Sequence, residues 1–244
     1  MMRQRKGNRG FSLVECVVAV AVGMSILGAV YMAVWTGQRS TTGIDRKVTT
    51  GQDARAALEV MAMEMRMASY NPFYAANPWT DIASCNAGDS TRRGIQNATA
   101  STIQIQMDLS GNGACGDAAN EIIVYTLDTV NRRITREPWT CSGSPVSAGV
   151  QSFLGAAAGE AKTVRVVNAD AGVAIPLFRY FNSTGADITS SLPGAISQVR
   201  RIEITLVVDS ENVDPTLANA DQGPQRRRMI YSTSVVPRNH AIQF

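Results

Sequence analysis

The feature that most constrains this chain is an apolar run near its start. Residues 11–35 read FSLVECVVAVAVGMSILGAVYMAVW, 25 positions with one charge, Glu15. As a helix at 1.5 Å per residue it reaches roughly 37 Å, more than a hydrocarbon core of about 30 Å. No small-residue A-x-A site follows it, and it exceeds a secretory h-region, which argues against a cleaved export signal. Arg3, Arg5, Lys6 and Arg9 precede it and no dense basic cluster follows, so the start of the chain is oriented to the cytoplasm. No other stretch is comparably apolar, and a single span is expected.

The charge balance supports the same division. The formal net charge is +3, but residues 1–10 contribute +4, leaving the other 234 residues at −1. A near-neutral body argues against nucleic acid as a partner. At 244 residues with 45% hydrophobic positions, the chain is long enough for a buried core.

Glu15 is the anomaly inside the run. A carboxylate within hydrocarbon costs about 2.5–3.5 kcal/mol on insertion scales, so it usually has a partner and a purpose. A snorkelling interfacial Glu is the plain alternative. Its context, Gly10-Phe11-Ser12-Leu13-Val14-Glu15 behind a short basic leader and ahead of the span, resembles the signal of type IV prepilins and pseudopilins. The resemblance implies cleavage between Gly10 and Phe11 by a prepilin peptidase, N-methylation of Phe11, and a Glu15 that pairs with the new terminal amine of a neighbouring subunit. Ser12, Val14 and Cys16 depart mildly from the commonest residues of that signal, and no proline stands at Met32, where many major pilins have one. Ala19-x-x-x-Gly23 and Ser25-x-x-x-Ala29 place small residues where another helix can approach.

Beyond Trp35 a polar segment containing Gly37, Gly43 and Gly51 leads into a second helical pattern. Ala54, Leu58, Met61, Met65 and Ala68 recur at spacings of four and three, and Asn71-Pro72 ends the pattern. One helix from about 12 to 70 is predicted, with its later apolar stripe laid against a sheet. Residues 73–100 read as a long loop. Strands are expected at 102–107, 121–127, 132–137, 163–167, 173–181, 199–208 and 229–236, with 128–131 turning a hairpin. Ile202, Ile204, Leu206 and Val208 share one face of their strand. A helix followed by a run of strands indicates an α+β fold with an antiparallel sheet. The predicted organisation is a leader at 1–10, a membrane and assembly helix at 11–35, an amphipathic helix at 36–70 and a periplasmic β domain at 71–244.

That order of elements looks like the larger minor pilins of the PilW type, with the J-type minor pseudopilins of type II secretion as near relatives. The resemblance implies a structural component of a pilus or its priming complex, held in the inner membrane with the globular part in the periplasm. Its implied partners are the major pilin, other minor pilins, the prepilin peptidase and the inner-membrane assembly platform. Adhesion, twitching motility or DNA uptake would follow from pilus membership, and a pilus-borne adhesin or DNA receptor is the rival of a different kind.

Four cysteines are present. Cys16 lies in the span; Cys85, Cys115 and Cys141 lie beyond it, where an oxidising periplasm would permit one disulfide. The hairpin at 121–137 brings its flanks together and favours Cys115–Cys141, with Cys85 as the alternative. Asp108, Ser110 and Asn112 begin like a calcium loop, but Ala119 stands where the bidentate acid belongs, and a Gly/Asn turn accounts for the same letters. Arg200-Arg201 and Arg226–Arg228 suggest charged strand edges rather than a nucleic-acid patch. Catalysis is not expected: His240 is the single histidine, and P-loop, G-x-G-x-x-G and G-x-S-x-G motifs are missing. No cofactor is expected.

Overall fold

A computed structural model describes residues 12–157, 159, 164–170, 172–210 and 226–241. They divide into two compact units, up to Asp45 and from Arg46 onward. One helix, α1 (Leu13–Met67), runs through the boundary. Gly37, Gly43 and Gly51 do not break it, because each costs only about 1 kcal/mol against Ala and no proline intervenes. The helix ends a few residues short of the expected limit. Ser69 adopts a left-handed φ of 67°, and its N–H turns away to the carbonyl of Gln106, 2.9 Å away.

The second unit carries two antiparallel sheets. The first comprises β1 (Ile95–Ala98), β2 (Thr102–Gln106), β3 (Ile122–Asp128) and β4 (Arg133–Cys141), with β5 (Pro145–Ser147) and β6 (Gln151–Leu154) both paired to β4. In the second, β9 (Arg201–Ser210) lies between β10 (Arg228–Val235) on one side and β7 (Val164–Val166) and β8 (Phe178–Phe181) on the other. The expected α+β fold is present. The predicted 128–131 hairpin is found, with Asp128 opposite Arg133 and Ile122 opposite Trp139. The 73–100 loop is interrupted by β1, and β5 and β6 fall where no strand was expected. These three are only three or four residues long, too short to display a period.

The predicted stripe is the spine of the core. Ala54, Leu58, Met61, Met65 and Ala68 are buried, joined by Ala57 and Ala62. They pack in one cluster with Ile103, Ile105, Tyr125 and Ile134 of the first sheet and Ile202, Ile204, Leu206 and Val208 of the second. Each buried large aliphatic side chain contributes roughly 1.5–3 kcal/mol. The register of helix on sheet is fixed by Glu64, which receives Arg136 from β4 at 2.8 Å and the hydroxyl of Tyr125 from β3. At 12% and 14% side-chain exposure the two charges are nearly dry, so removing either would strand the other.

Where α1 ends, three segments meet. A Cβ on Gly94 would lie 2.3 Å from the Ser69 nitrogen and 2.5 Å from the Gln106 carbonyl, so only glycine allows this approach. The Ser69 hydroxyl accepts the Gly94 N–H at 3.0 Å and sits 2.9 Å from Nδ1 of His240. Nε2 of His240 lies 2.9 Å from the Ile196 carbonyl, an acceptor only, so Nε2 carries the hydrogen and Nδ1 accepts from Ser69. The ring is fully buried, and burial chiefly, with Arg93 and Arg200 nearby, holds its pKa down at about 4.

The structure also corrects the disulfide. Cys141 is bonded to Cys85, with Cα atoms 5.4 Å apart, and Cys115 is a buried free thiol. The hairpin does bring the flanks together, but Gly116 is the residue that meets Cys141. Its carbonyl accepts the Cys141 N–H, and a Cβ on it would lie 2.8 Å from Ile122 Cδ1 and 3.5 Å from Cys141 Cβ. Cys115, one residue earlier, turns inward. Burial and the carboxylates of Glu121, Asp108 and Asp117 push its thiol pKa far up, leaving it protonated.

Two outcomes follow. Alkylation and peptide mapping should find Cys85 linked to Cys141, with Cys115 labelled only after unfolding; Cys85→Ser should lower stability by about 2–4 kcal/mol, and a Cys115–Cys141 peptide would contradict the structure. For His240, the unfolded ring binds protons below pH 6.5 while the folded ring resists until about pH 4. Its stabilisation is therefore full above pH 6.5 and lost as pH falls. The stability advantage of wild type over His240→Gln should shrink by about 3 kcal/mol between pH 7 and pH 4 in chemical denaturation; a constant difference would refute the buried neutral ring.

Candidate functional site

The first site residues, Gly10 and Phe11, lie outside the described residues; Glu15 lies inside. Ser12 precedes the helix as its N-cap: its Oγ accepts the N–H of Val14 at 3.2 Å, while Glu15 Oε2 accepts the N–H of Ser12 at 3.0 Å. This is a capping box, satisfying two backbone donors that a helix start leaves open. The S-x-x-E spacing of Ser12 and Glu15 carried this signal in plain letters. The carboxylate thus points back along the chain toward the proposed cut, and a carboxylate has acceptor capacity left for a further donor.

From Leu13 to Gln38, 26 residues of α1 are long and apolar enough to cross a membrane, and none of the most apolar window is buried. Leu13, Met24, Leu27, Tyr31 and Met32 are each at least 69% exposed, and apolar side chains surround the helix. A helix apolar all round requires lipid or other helices as its solvent. Its serine and threonine hydroxyls bond back to the helix: Ser25 Oγ donates to the Ala21 carbonyl at 2.9 Å and Thr36 Oγ1 to that of Met32 at 2.8 Å.

The calcium candidates do a different job. Asp108 is fully buried, and its carboxylate accepts the N–H groups of Gly111 at 2.6 Å, Asn112 at 3.2 Å and Gly113 at 2.8 Å, with the Ser110 hydroxyl at 3.3 Å. Asn112 donates its side-chain amide to Asp117. Glu121, also buried, accepts from the N–H groups of Leu109, Ser110, Gly116 and Ala118. The loop is folded around two carboxylates that backbone amides already engage, so these oxygens are not collected toward a cation. Among the described residues, no group of three or more His, Cys, Asp or Glu is placed to hold a metal.

The arginine clusters disperse likewise. Arg228 is paired with Asp209 at 2.9 Å, Arg201 stacks 3.7 Å above the Phe181 ring, and Arg200 donates to the carbonyls of Ser197 and Val199. The grouping that sequence reasoning missed is Ser69, Arg93, Gly94 and His240, drawn from three distant segments with no shared motif.

Comparison with known proteins bears on the helix. A family model described as the prokaryotic N-terminal methylation motif matches residues 5–31. No curated protein and no solved structure matches the chain. The motif covers Arg5, Lys6 and Arg9 of the leader, the Gly10-Phe11 junction, Glu15 and most of the apolar run, and it supports a type IV pilin-like or pseudopilin-like protein.

Proposed function

We propose that this chain is a minor pilin, a non-catalytic structural component that enters a type IV pilus or its priming complex through α1. The observation carrying the reading is that the methylation motif at 5–31 overlaps, from Leu13 on, a helix whose apolar side chains are exposed among the described residues. A prepilin peptidase would cut between Gly10 and Phe11 on the cytoplasmic side and methylate Phe11. The new ammonium lies four residues before Glu15, roughly 6 Å along a helix axis. Packed beside a second subunit, the carboxylate of one chain would meet the ammonium of the other. That contact removes two isolated charges from hydrocarbon together and fixes the axial offset between helices. The β domain would stand in the periplasm before assembly, which accords with a disulfide between Cys85 and Cys141. The major pilin, other minor pilins and the assembly platform are the expected partners.

Mass spectrometry of the native protein should show an N-methylated Phe11 as the first residue. Gly10→Ala should keep the leader attached, and a mature chain beginning at Phe11 in that variant would overturn the assignment. Glu15→Gln should still be cut, and its amide can still accept the Ser12 N–H, but incorporation into sheared pili should fall at least tenfold because the counter-charge is gone. Incorporation at the wild-type level would remove the proposed role of Glu15. Co-purification with a secretin-linked secretion apparatus and absence from pili would replace the minor pilin by a pseudopilin.

A further inference from the structure

Next to the meeting of α1, β1 and the 238–241 turn is a cavity of about 480 Å³. Trp79, Ser90, Arg93, Ser197 and Asn239 are among the residues that line it. Its volume falls within the usual range for small-molecule sites. The charge arrangement around it is unusual. One nitrogen of the Arg93 guanidinium donates to the His240 carbonyl, which leaves its remaining N–H groups without an acceptor among the described residues. Arg93 takes no part in an ion pair there, and neither does Arg200, whose hydrogen bonds go to the Ser197 and Val199 carbonyls. Arg200 is close enough to repel Arg93. The acid on the same loop, Asp89, is occupied by Arg92 at 3.2 Å and by Thr91. His240 is held neutral by burial between the two arginines. Among the described residues, neither guanidinium is paired with a carboxylate.

The positioning of Arg93 is costly as well. Its backbone is left-handed, with φ at 52°, a conformation that a non-glycine residue keeps only where the surroundings impose it. Around it the cavity offers neutral groups. The side chains of Ser90, Ser197 and Asn239 make no hydrogen bond to the described residues, and each can both donate and accept. One forward-facing cation among neutral two-way hydrogen-bonding groups is matched by a ligand with one negative charge and several hydroxyls. A phosphate, with more charge and no donors of its own at neutral pH beyond one, would leave those acceptors unmatched.

We propose that this cavity is a binding site for a sugar acid, its carboxylate on the Arg93 guanidinium and its hydroxyls on Ser90, Ser197 and Asn239. The guanidinium edge left open by His240 presents parallel N–H donors to a carboxylate. The second charge, on Arg200, adds long-range attraction without entering the lining. The ligand could be free or the end of a glycan; the recognised chemistry is the same. The site stands independently of the pilin assignment, because it uses only residues between 69 and 240.

The test is titration of the full chain in detergent with D-glucuronate, followed by saturation-transfer NMR and by the fluorescence of Trp79 on the cavity wall. D-glucose, inorganic phosphate and an oligosaccharide ending in glucuronate serve as the other arms. Glucuronate should bind saturably and at least tenfold more tightly than glucose or phosphate. Arg93→Gln should weaken it at least tenfold, and raising NaCl to 0.5 M should weaken it several-fold. Because Arg93 also ties the 238–241 turn, Asn239→Ala provides a variant at the rim, expected to weaken binding three- to tenfold with an unchanged circular dichroism spectrum. Tighter binding of the oligosaccharide than of glucuronate assigns the site to a glycan end, and equal binding to the free acid. Phosphate or glucose binding as tightly as glucuronate, no saturation by 50 mM, or undiminished affinity in Asn239→Ala would each overturn the proposal.

Discussion

The contact on which the globular unit depends is the apolar stripe of α1 between Ala54 and Ala68. Both sheets bury their inner faces against it, the first through Ile103, Ile105 and Tyr125, the second through Ile202, Ile204 and Leu206. The stripe is narrow and made of small and flexible residues. Ala54, Ala57, Ala62 and Ala68 let strands come close, while the fully buried Met61 and Met65 add flexible apolar volume to the cluster shared by both sheets. Glu64 then converts a greasy contact into a specific one. Its bond to Arg136 and Tyr125 is available only when helix and strands stand in a single register. Hydrophobic burial supplies the stability, and the nearly dry ion pair selects among the positions that burial alone would allow.

The same helix obeys a different rule at its start. From Leu13 to Gln38 the apolar side chains occupy every face and are exposed among the described residues. A capping box is then economical in a low-dielectric setting. Helix starts leave donors unpaired, and in lipid each unpaired donor costs several kcal/mol. Ser12 and Glu15 satisfy two of them with side chains already in the motif. Glu15 is thus a cap within one chain as well as the counter-charge proposed for a second chain. These two uses do not compete, since they can engage different oxygens of one carboxylate.

Much of this was legible in the residues. The stripe was readable because a 3.6-residue period sustained over four turns fits a helix with one buried face and little else. β9 was readable because Ile202, Ile204, Leu206 and Val208 alternate strictly. β3 and β4 were readable because a turn-forming Asp128–Asn131 separates two β-branched runs. What escaped was set by contacts distant in sequence. β1 is a strand because Gly94 lets it pass within touching distance of Ser69, a fact that resides in the packing and not in the letters IQNA. β5 and β6 exist because β4 is long enough to pair with both along one edge. The disulfide differs from the expected pairing by one residue's direction: backbone proximity was right, but within the loop Cys115 is buried and its neighbour Gly116 is the residue that meets Cys141. Neighbourhood is readable from topology, whereas side-chain direction requires the register.

The loop between β2 and β3 shows why a motif of ligand types can mean its opposite. Asp, Ser and Asn at alternate positions suit a calcium loop because their oxygens can converge on a cation, with backbone amides pointing away. Here the amides of Gly111, Asn112 and Gly113 converge on Asp108, and those of Leu109, Ser110, Gly116 and Ala118 on Glu121. Buried carboxylates surrounded by N–H dipoles have their charge compensated by the chain itself. The glycines serve this inversion, since Gly111, Gly113 and Gly116 all take positive φ and so turn successive amides inward. The acid missing at position 119 and the surplus acid at 121 are parts of one solution: Glu121, anchored at the start of β3, takes the place a cation would have held as the loop's organising charge. Among the described residues Arg93 has no such compensation, and the contrast between a loop whose carboxylates are answered by its own amides and a guanidinium that meets only a carbonyl is the strongest physical reason to look for a ligand at the second and not at the first.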